Sequence, residues 1–136
     1  MIQEHAAAVL SLLAAAPLAP ALVVHDGAVP DGVGPPYVLV YFADTDPELS
    51  GSRPLTGQSR RYVLRVYAHC VGGNQDAARK VSDRVRAALL DVAPTVAGRS
   101  CFPIRREDGQ PPQRNEGTGA LTQDKVDVYR LESIPG

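Results

Sequence analysis

Two adjacent pairs in this 136-residue sequence carry the residue types of a reactive centre. His25-Asp26 sets an imidazole beside a carboxylate able to orient it. His69-Cys70 sets a base beside a thiol. Both pairs lie in runs that read as strands, and neighbours along a strand point to opposite faces. Neither pair is therefore placed to react internally. The plain readings are a turn Asp beside a strand-end His, and a buried thiol beside an exposed His. No catalytic residue is assigned.

Metal chemistry needs three or four converging ligands. The three histidines, His5, His25 and His69, have neither helical spacing nor a C-x-x-C partner. Asp44, Asp46 and Glu48 alternate like the start of a calcium loop but lack its glycine and closing glutamate. The glycines from Gly27 to Gly34 follow a strand, yet no lysine follows and a second strand comes next. A phosphate cradle needs a helix N-terminus behind it. No metal, nucleotide or other cofactor is expected.

Bulk properties narrow the class further. The length fits one domain over residues 1–136. The net charge of −1 removes the electrostatic footprint of a nucleic-acid binder. Arg60-Arg61 and Arg105-Arg106 are too short for a basic arm. Twelve glycines and twelve prolines foretell long irregular connections. Cys70 and Cys101 lie within apolar stretches and read as buried free thiols rather than a disulfide framework. Ala14-Ala15-Ala16 looks like a leader-peptide cleavage site, but Gln3, Glu4 and His5 supply no positive flank. No stretch approaches the ~20 apolar residues that span a bilayer. The chain reads as cytosolic when made.

The elements that position these residues follow from periodicity. Ile2, Ala6, Val9, Leu10 and Leu13 form one helical stripe over 2–15, stopped by Pro17. Leu22 to His25 is a short strand ended by Asp26-Gly27. Tyr37 to Ala43 reads as a central strand buried on both faces. Asp44 to Gln58 is a long polar loop. From Arg60 to Val71, Tyr62, Leu64, Val66, Ala68 and Cys70 alternate onto a core face, opposite Arg61, Val63, Arg65, Tyr67 and His69. Asn74 is an N-cap for a helix from Gln75 to about Val92, with Asp76-Lys80 as an i,i+4 pair. Val96 to Arg106 reads as an edge strand. Glu107 to Gly119 reads as a second long loop. Leu121 to Ser133 ends the chain as a strand. The fold class is α+β: a mostly antiparallel sheet of four to five strands with two helices on one face.

Three stretches carry a family resemblance. The first is the N-terminal helix ending in Leu12-Leu13-Ala14 and Pro17. The second is Val24-His25-Asp26-Gly27-Ala28-Val29-Pro30, leading through Pro35-Pro36 into Tyr37-Val38-Leu39-Val40. The third runs from Tyr62 to His69 with Gly72-Gly73, then Ala77-Ala78 to Leu89-Leu90, then Val96-Ala97-Gly98-Arg99. Over nearly the whole chain the sequence resembles the tail terminator, or tail-completion, proteins of long-tailed bacteriophages. The resemblance implies a structural protein rather than an enzyme. It implies a six-membered ring capping the finished tail tube, where it ends tube growth and meets the head. The implied partners are further copies of the chain, the tail tube protein and a head–tail connector or stopper protein. DNA would pass through the channel without specific binding, and no membrane is involved. The implied location is the virion, at the head–tail junction, after synthesis in the host cytoplasm.

Such a family lends no active site, so contact residues are chosen by exposure and charge. They are Asp44, Asp46, Glu48 and Arg53 in the first loop; Arg105, Arg106, Arg114 and Glu116 around the second; and Arg61 and Arg65 on the outer strand face. Each has a plain alternative as a solvated surface charge. Three rivals remain: another connector, such as a stopper or head-completion subunit; a small enzyme; and a single-stranded nucleic-acid binder. The last rests on Tyr67 between Arg65 and His69.

Overall fold

A computed structural model describes residues 1–16, 22–45, 61–111, 113–115 and 122–136. Its elements run α1 (Ile2–Ala14), β1 (Val24–Asp26), β2 (Tyr37–Thr45), β3 (Tyr62–Gly72), α2 (Gln75–Leu89), β4 (Arg99–Cys101), β5 (Arg105–Gly109), β6 (Gln113–Asn115) and β7 (Thr122–Pro135). One sheet holds all the strands in the order β1-β2-β3-β7-β4, with β5 and β6 also on β7. Only β1 on β2 is parallel; the remaining pairings are antiparallel. The expected α+β class and its mostly antiparallel sheet are therefore present.

β7 sets the layout. One edge pairs with β3 along its length, from Gln123 opposite Gly72 to Ser133 opposite Tyr62. The other edge takes β6 against Thr122–Asp124, β5 against Asp127–Arg130 and β4 against Ser133–Pro135. Alternation across these ladders defines two faces. Val38 and Val40 of β2, Leu64, Val66, Ala68 and Cys70 of β3, and Tyr129 and Leu131 of β7 lie on one face and are fully buried. Against them pack Val81, Val85 and Leu89 of α2 and Val9 and Leu13 of α1. Both helices therefore cover the same face.

Several local expectations hold. Asn74 caps α2, its side chain accepting from the Ala77 N–H at 2.8 Å. Asp76 and Lys80 meet at 3.1 Å. Both cysteines are free; Cys70 is buried, whereas Cys101 is only half-buried.

Four expectations need correction. β2 is buried on one face only, since Tyr41 is 43% exposed; its second face belongs to the side without helices. α2 stops at Leu89, not Val92. The chain turns at Asp91 (φ 63°), whose N–H donates to the Ile104 carbonyl at 2.9 Å. Asp tolerates that left-handed geometry through its short polar side chain. The strand expected over Val96 to Arg106 is split into β4 and β5, with the imino nitrogen of Pro103 between them. The expected loop after Glu107 instead contributes the end of β5 and all of β6, because the long free edge of β7 gives their backbones partners.

Gly72, at the end of β3, meets the first turn of α2 at close range. A Cβ there would lie 2.6 Å from the Ala77 carbonyl carbon and 2.7 Å from its Cβ. Backbone cannot yield as a flexible side chain does. Gly72→Ala is expected to cost about 1–3 kcal/mol of unfolding free energy in urea denaturation; an unchanged midpoint would contradict this packing.

Candidate interaction surfaces

Three polar arrangements result from this fold; the first two have no spacing in the sequence, and the third extends the outer face expected for Arg61, Val63, Arg65, Tyr67 and His69. The first is a clasp at the end of β7. Ser133 faces the helices, and its hydroxyl lies 2.8 Å from His5 Nε2. His5 Nδ1 lies 2.8 Å from the Met1 carbonyl. A carbonyl only accepts, so Nδ1 carries a hydrogen, and in the neutral ring Nε2 accepts from the serine hydroxyl. Arg99 Nε donates to the same serine oxygen at 3.1 Å. A Ser–His pair at this distance has nucleophile–base geometry. However, both residues are fully buried, with the Tyr62 ring 4.5 Å from the imidazole. The contact fastens α1 to the sheet. The 128-residue separation of His5 and Ser133 hid it from sequence reading.

The second arrangement surrounds Asp127, which is fully buried on the helix side of β7. Its Oδ1 accepts from Lys125 Nζ at 2.6 Å and Arg106 Nη2 at 2.8 Å. Its Oδ2 accepts from Ser82 of α2 at 2.5 Å. Burial opposes ionisation of Asp127. The hydrogen bonds from Arg106, Lys125 and Ser82 outweigh it and hold the carboxyl below its ordinary value. Cys70 lies 3.9 Å from Oδ2, and burial first, then the Asp127 charge, push its thiol well up. That thiol is a neutral core group, not a nucleophile. A signal did exist: Asp127 alternates with Tyr129 and Leu131, and an inward carboxylate requires partners.

Above this cluster lies a cleft of about 290 Å³ lined by Arg79, Ser82, Asp83, Arg86, Arg106 and Lys125.

The third arrangement is the helix-free face of the sheet. Its centre is formed by Leu39, Val63, Tyr67, Val126 and Val128, buried or half-buried. Charged pairs flank them: Arg65 Nε to Glu107 at 2.9 Å, Arg130 Nε to the same Glu107 at 3.4 Å, and Arg61 to Glu132; beside these, His69 Nδ1 lies 3.1 Å from an Asp124 carboxylate oxygen. Tyr41 meets the His69 ring edge-on at 5.4 Å. The register and its alternation put Tyr41 (43% exposed), Phe102 (47%), Ile134 (38%) and Val23 (48%) on this side. These are four of the six large hydrophobic side chains exposed among the described residues; the others are Met1 and Val33.

The contact residues expected from sequence are dispersed by the fold. Arg61 and Arg65 do sit on the helix-free face, but each is held by a carboxylate of its own chain. Arg106 belongs to the Asp127 cluster, and Arg105 pairs with Asp91. Asp44 lies on the helix side and accepts from the Tyr62 hydroxyl at 3.1 Å. Arg114 is placed by its backbone on β6. Asp46, Glu48, Arg53 and Glu116 lie outside the described residues. His69 and Cys70 project to opposite faces. Among the described residues no three His, Cys, Asp or Glu side chains gather as a metal site, and no helix is long and apolar enough to cross a membrane.

Because the folded-state value of Asp127 is lowered, its contribution to stability is complete above the ordinary carboxylate value near 3.8 and is lost as pH falls through the lower folded value. Asp127→Asn is expected to cost about 1–3 kcal/mol at pH 7. The variant should also lose stability less steeply than the parent in denaturation series below pH 4. Parallel pH curves would contradict this role.

Comparison with known proteins gives one family. The model described as "Tail completion protein gp17" matches residues 3–126. A chain in a structure described as the virion of a native gene transfer agent particle is similar at a TM-score of 0.70 and 19% identity, over 96% of this chain and 93% of its own. A second solved structure, whose name states no function, is similar at a TM-score of 0.66 and 18% identity, over 96% of this chain and 94% of its own. At these identities the two structures show a shared fold. No curated protein matches.

Proposed function

The chain belongs to the tail completion protein gp17 family, the structural proteins of bacteriophage tail assembly, and from that premise we propose that it closes into a ring, most simply of six copies, on the end of the tail tube. The ring ends tube polymerisation and presents the surface that joins the head. Its partners are further copies of itself, the tube protein and a connector or stopper protein. It sits in the virion at the head–tail junction, and DNA crosses its channel without sequence-specific contacts.

The observation that supports this most is the helix-free face. A sheet face left to water normally carries polar side chains; here it exposes Tyr41, Phe102, Ile134 and Val23. Such a patch rimmed by charges marks a protein contact. A ring is a heterologous assembly: each copy offers one surface to its neighbour and receives a different one. An apolar sheet face opposite a charged, helix-covered face supplies two unlike surfaces. Arg61 and Arg65 contribute to the rim, each paired with a carboxylate of its own chain.

Light scattering on the purified chain, alone and with tail tubes, tests the reading. The expected result is a closed oligomer, or a monomer that becomes a ring only on tube ends. Tyr41→Glu and Phe102→Glu should weaken that assembly at least tenfold with the far-ultraviolet circular dichroism unchanged. A folded monomer that ignores tubes would contradict the ring and favour another connector role. Unaltered assembly of both variants would remove the helix-free face from the contact.

A further inference from the structure

We infer that the cleft beside α2 is a carboxylate-binding site, and that it docks an acidic segment of a neighbouring protein chain. Four cations line it: Arg79, Arg86, Arg106 and Lys125. Set against them are Asp83 in the lining and Asp127 beneath, so two positive charges remain uncompensated. This excess is local, because the chain as a whole carries −1.

The cleft is built rather than incidental. Asp127, fully buried, holds both Arg106 and Lys125 through a single oxygen and so fixes two cations at the floor. Each still has donors to give, since a guanidinium carries five N–H groups and an ammonium three. The Arg86 guanidinium makes no hydrogen bond or ion pair among the described residues, and Arg79 makes a 3.3 Å bond to Gln75. Ser82 ties the floor to α2, so the cleft needs little reorganisation to receive a ligand. An oxyanion entering it would meet the remaining N–H donors of these side chains, and a guanidinium fork matches a planar carboxylate.

A protein carboxylate fits better than a nucleic-acid backbone. Phosphates come as a continuous row and are tracked by a basic stripe or groove. Here the surplus is two charges in one concavity of about 290 Å³. One or two acidic side chains match it in both number and size.

The test is binding of a hexaglutamate peptide to the full chain by calorimetry at low ionic strength, where screening is weakest. A twelve-base-pair duplex is titrated in parallel. The exposed pair Arg79→Glu with Arg86→Glu reverses the rim while leaving the buried cluster intact. Arg105→Glu with Lys80→Glu makes the same net-charge change away from the cleft. The expected result is peptide binding that falls at least tenfold in the rim variant and under threefold in the control. No peptide binding, or equal loss in the two variants, would overturn the site. Duplex binding tighter than the peptide's and lost in the rim variant would overturn the choice of a protein partner. All of this is read on isolated chains, so ring formation can fail while the cleft stands, or the reverse.

Discussion

Burying a carboxylate and a hydroxyl on the helix side of one strand imposes a requirement that the surrounding elements must meet. β7 carries Asp127 and Ser133 inward, six residues apart and on the same face as Tyr129 and Leu131. An inward polar group without a partner costs more than most single packing contacts contribute. Each recruits a different helix: Asp127 takes Ser82 of α2, and Ser133 takes His5 of α1. The position of α2 over β3 and β7, and of the start of α1 at the end of β7, is thus specified by polar contacts as well as by apolar area. Arg106 of β5 and Arg99 of β4 join the same two groups, which attaches the short edge strands as well.

This one-sided arrangement explains how the surface is divided. With both helices committed to one face, the other keeps the second set of alternating side chains from β2, β3 and β7. Those side chains are mixed: valines, tyrosines and Leu39 in the middle, and around them carboxylate–guanidinium pairs and the His69–Asp124 contact. Pairing within the chain lowers the cost of bringing those charges toward a second surface, because they are partly neutralised before contact. The excess positive charge lies on the helix side, in the cleft above Asp127. The two faces therefore differ in chemistry, as a subunit contacting unlike neighbours requires.

Much of the fold was legible because its signals are local. The alternation from Tyr62 to Cys70 identifies β3 and its core face, Asn74 starts α2, and the stripe from Ile2 to Leu13 gives α1. The second half of the chain was harder. β5 and β6 are almost wholly polar and have no periodic signal of their own; they are strands because β7 offers a long unpaired edge. The sites were harder still. The clasp joins positions 5 and 133, and the cleft gathers α2, β5 and β7, so neither has a spacing to read. Arg106 reads from sequence as an exposed contact, whereas Arg79, Arg86 and Lys125 read as any solvated charge; only the fold brings the four together. The charges chosen in the first long loop beyond Thr45 fall outside the described residues. The sequence does not mark Tyr41 or Phe102 as contacts: the run from Tyr37 to Ala43 reads as buried on both faces, and Phe102 lies in a stretch that reads as an edge strand.

The central claim is that the helix-free sheet face becomes a protein contact in the assembled tail. Hydroxyl-radical footprinting of the free chain and of completed tails tests it directly, because Tyr41 and Phe102 are exposed, reactive aromatics on that face. Assembly is predicted to protect both strongly. Equal oxidation of Tyr41 and Phe102 in the free and assembled states would contradict the claim, even if residues on the helix side became protected.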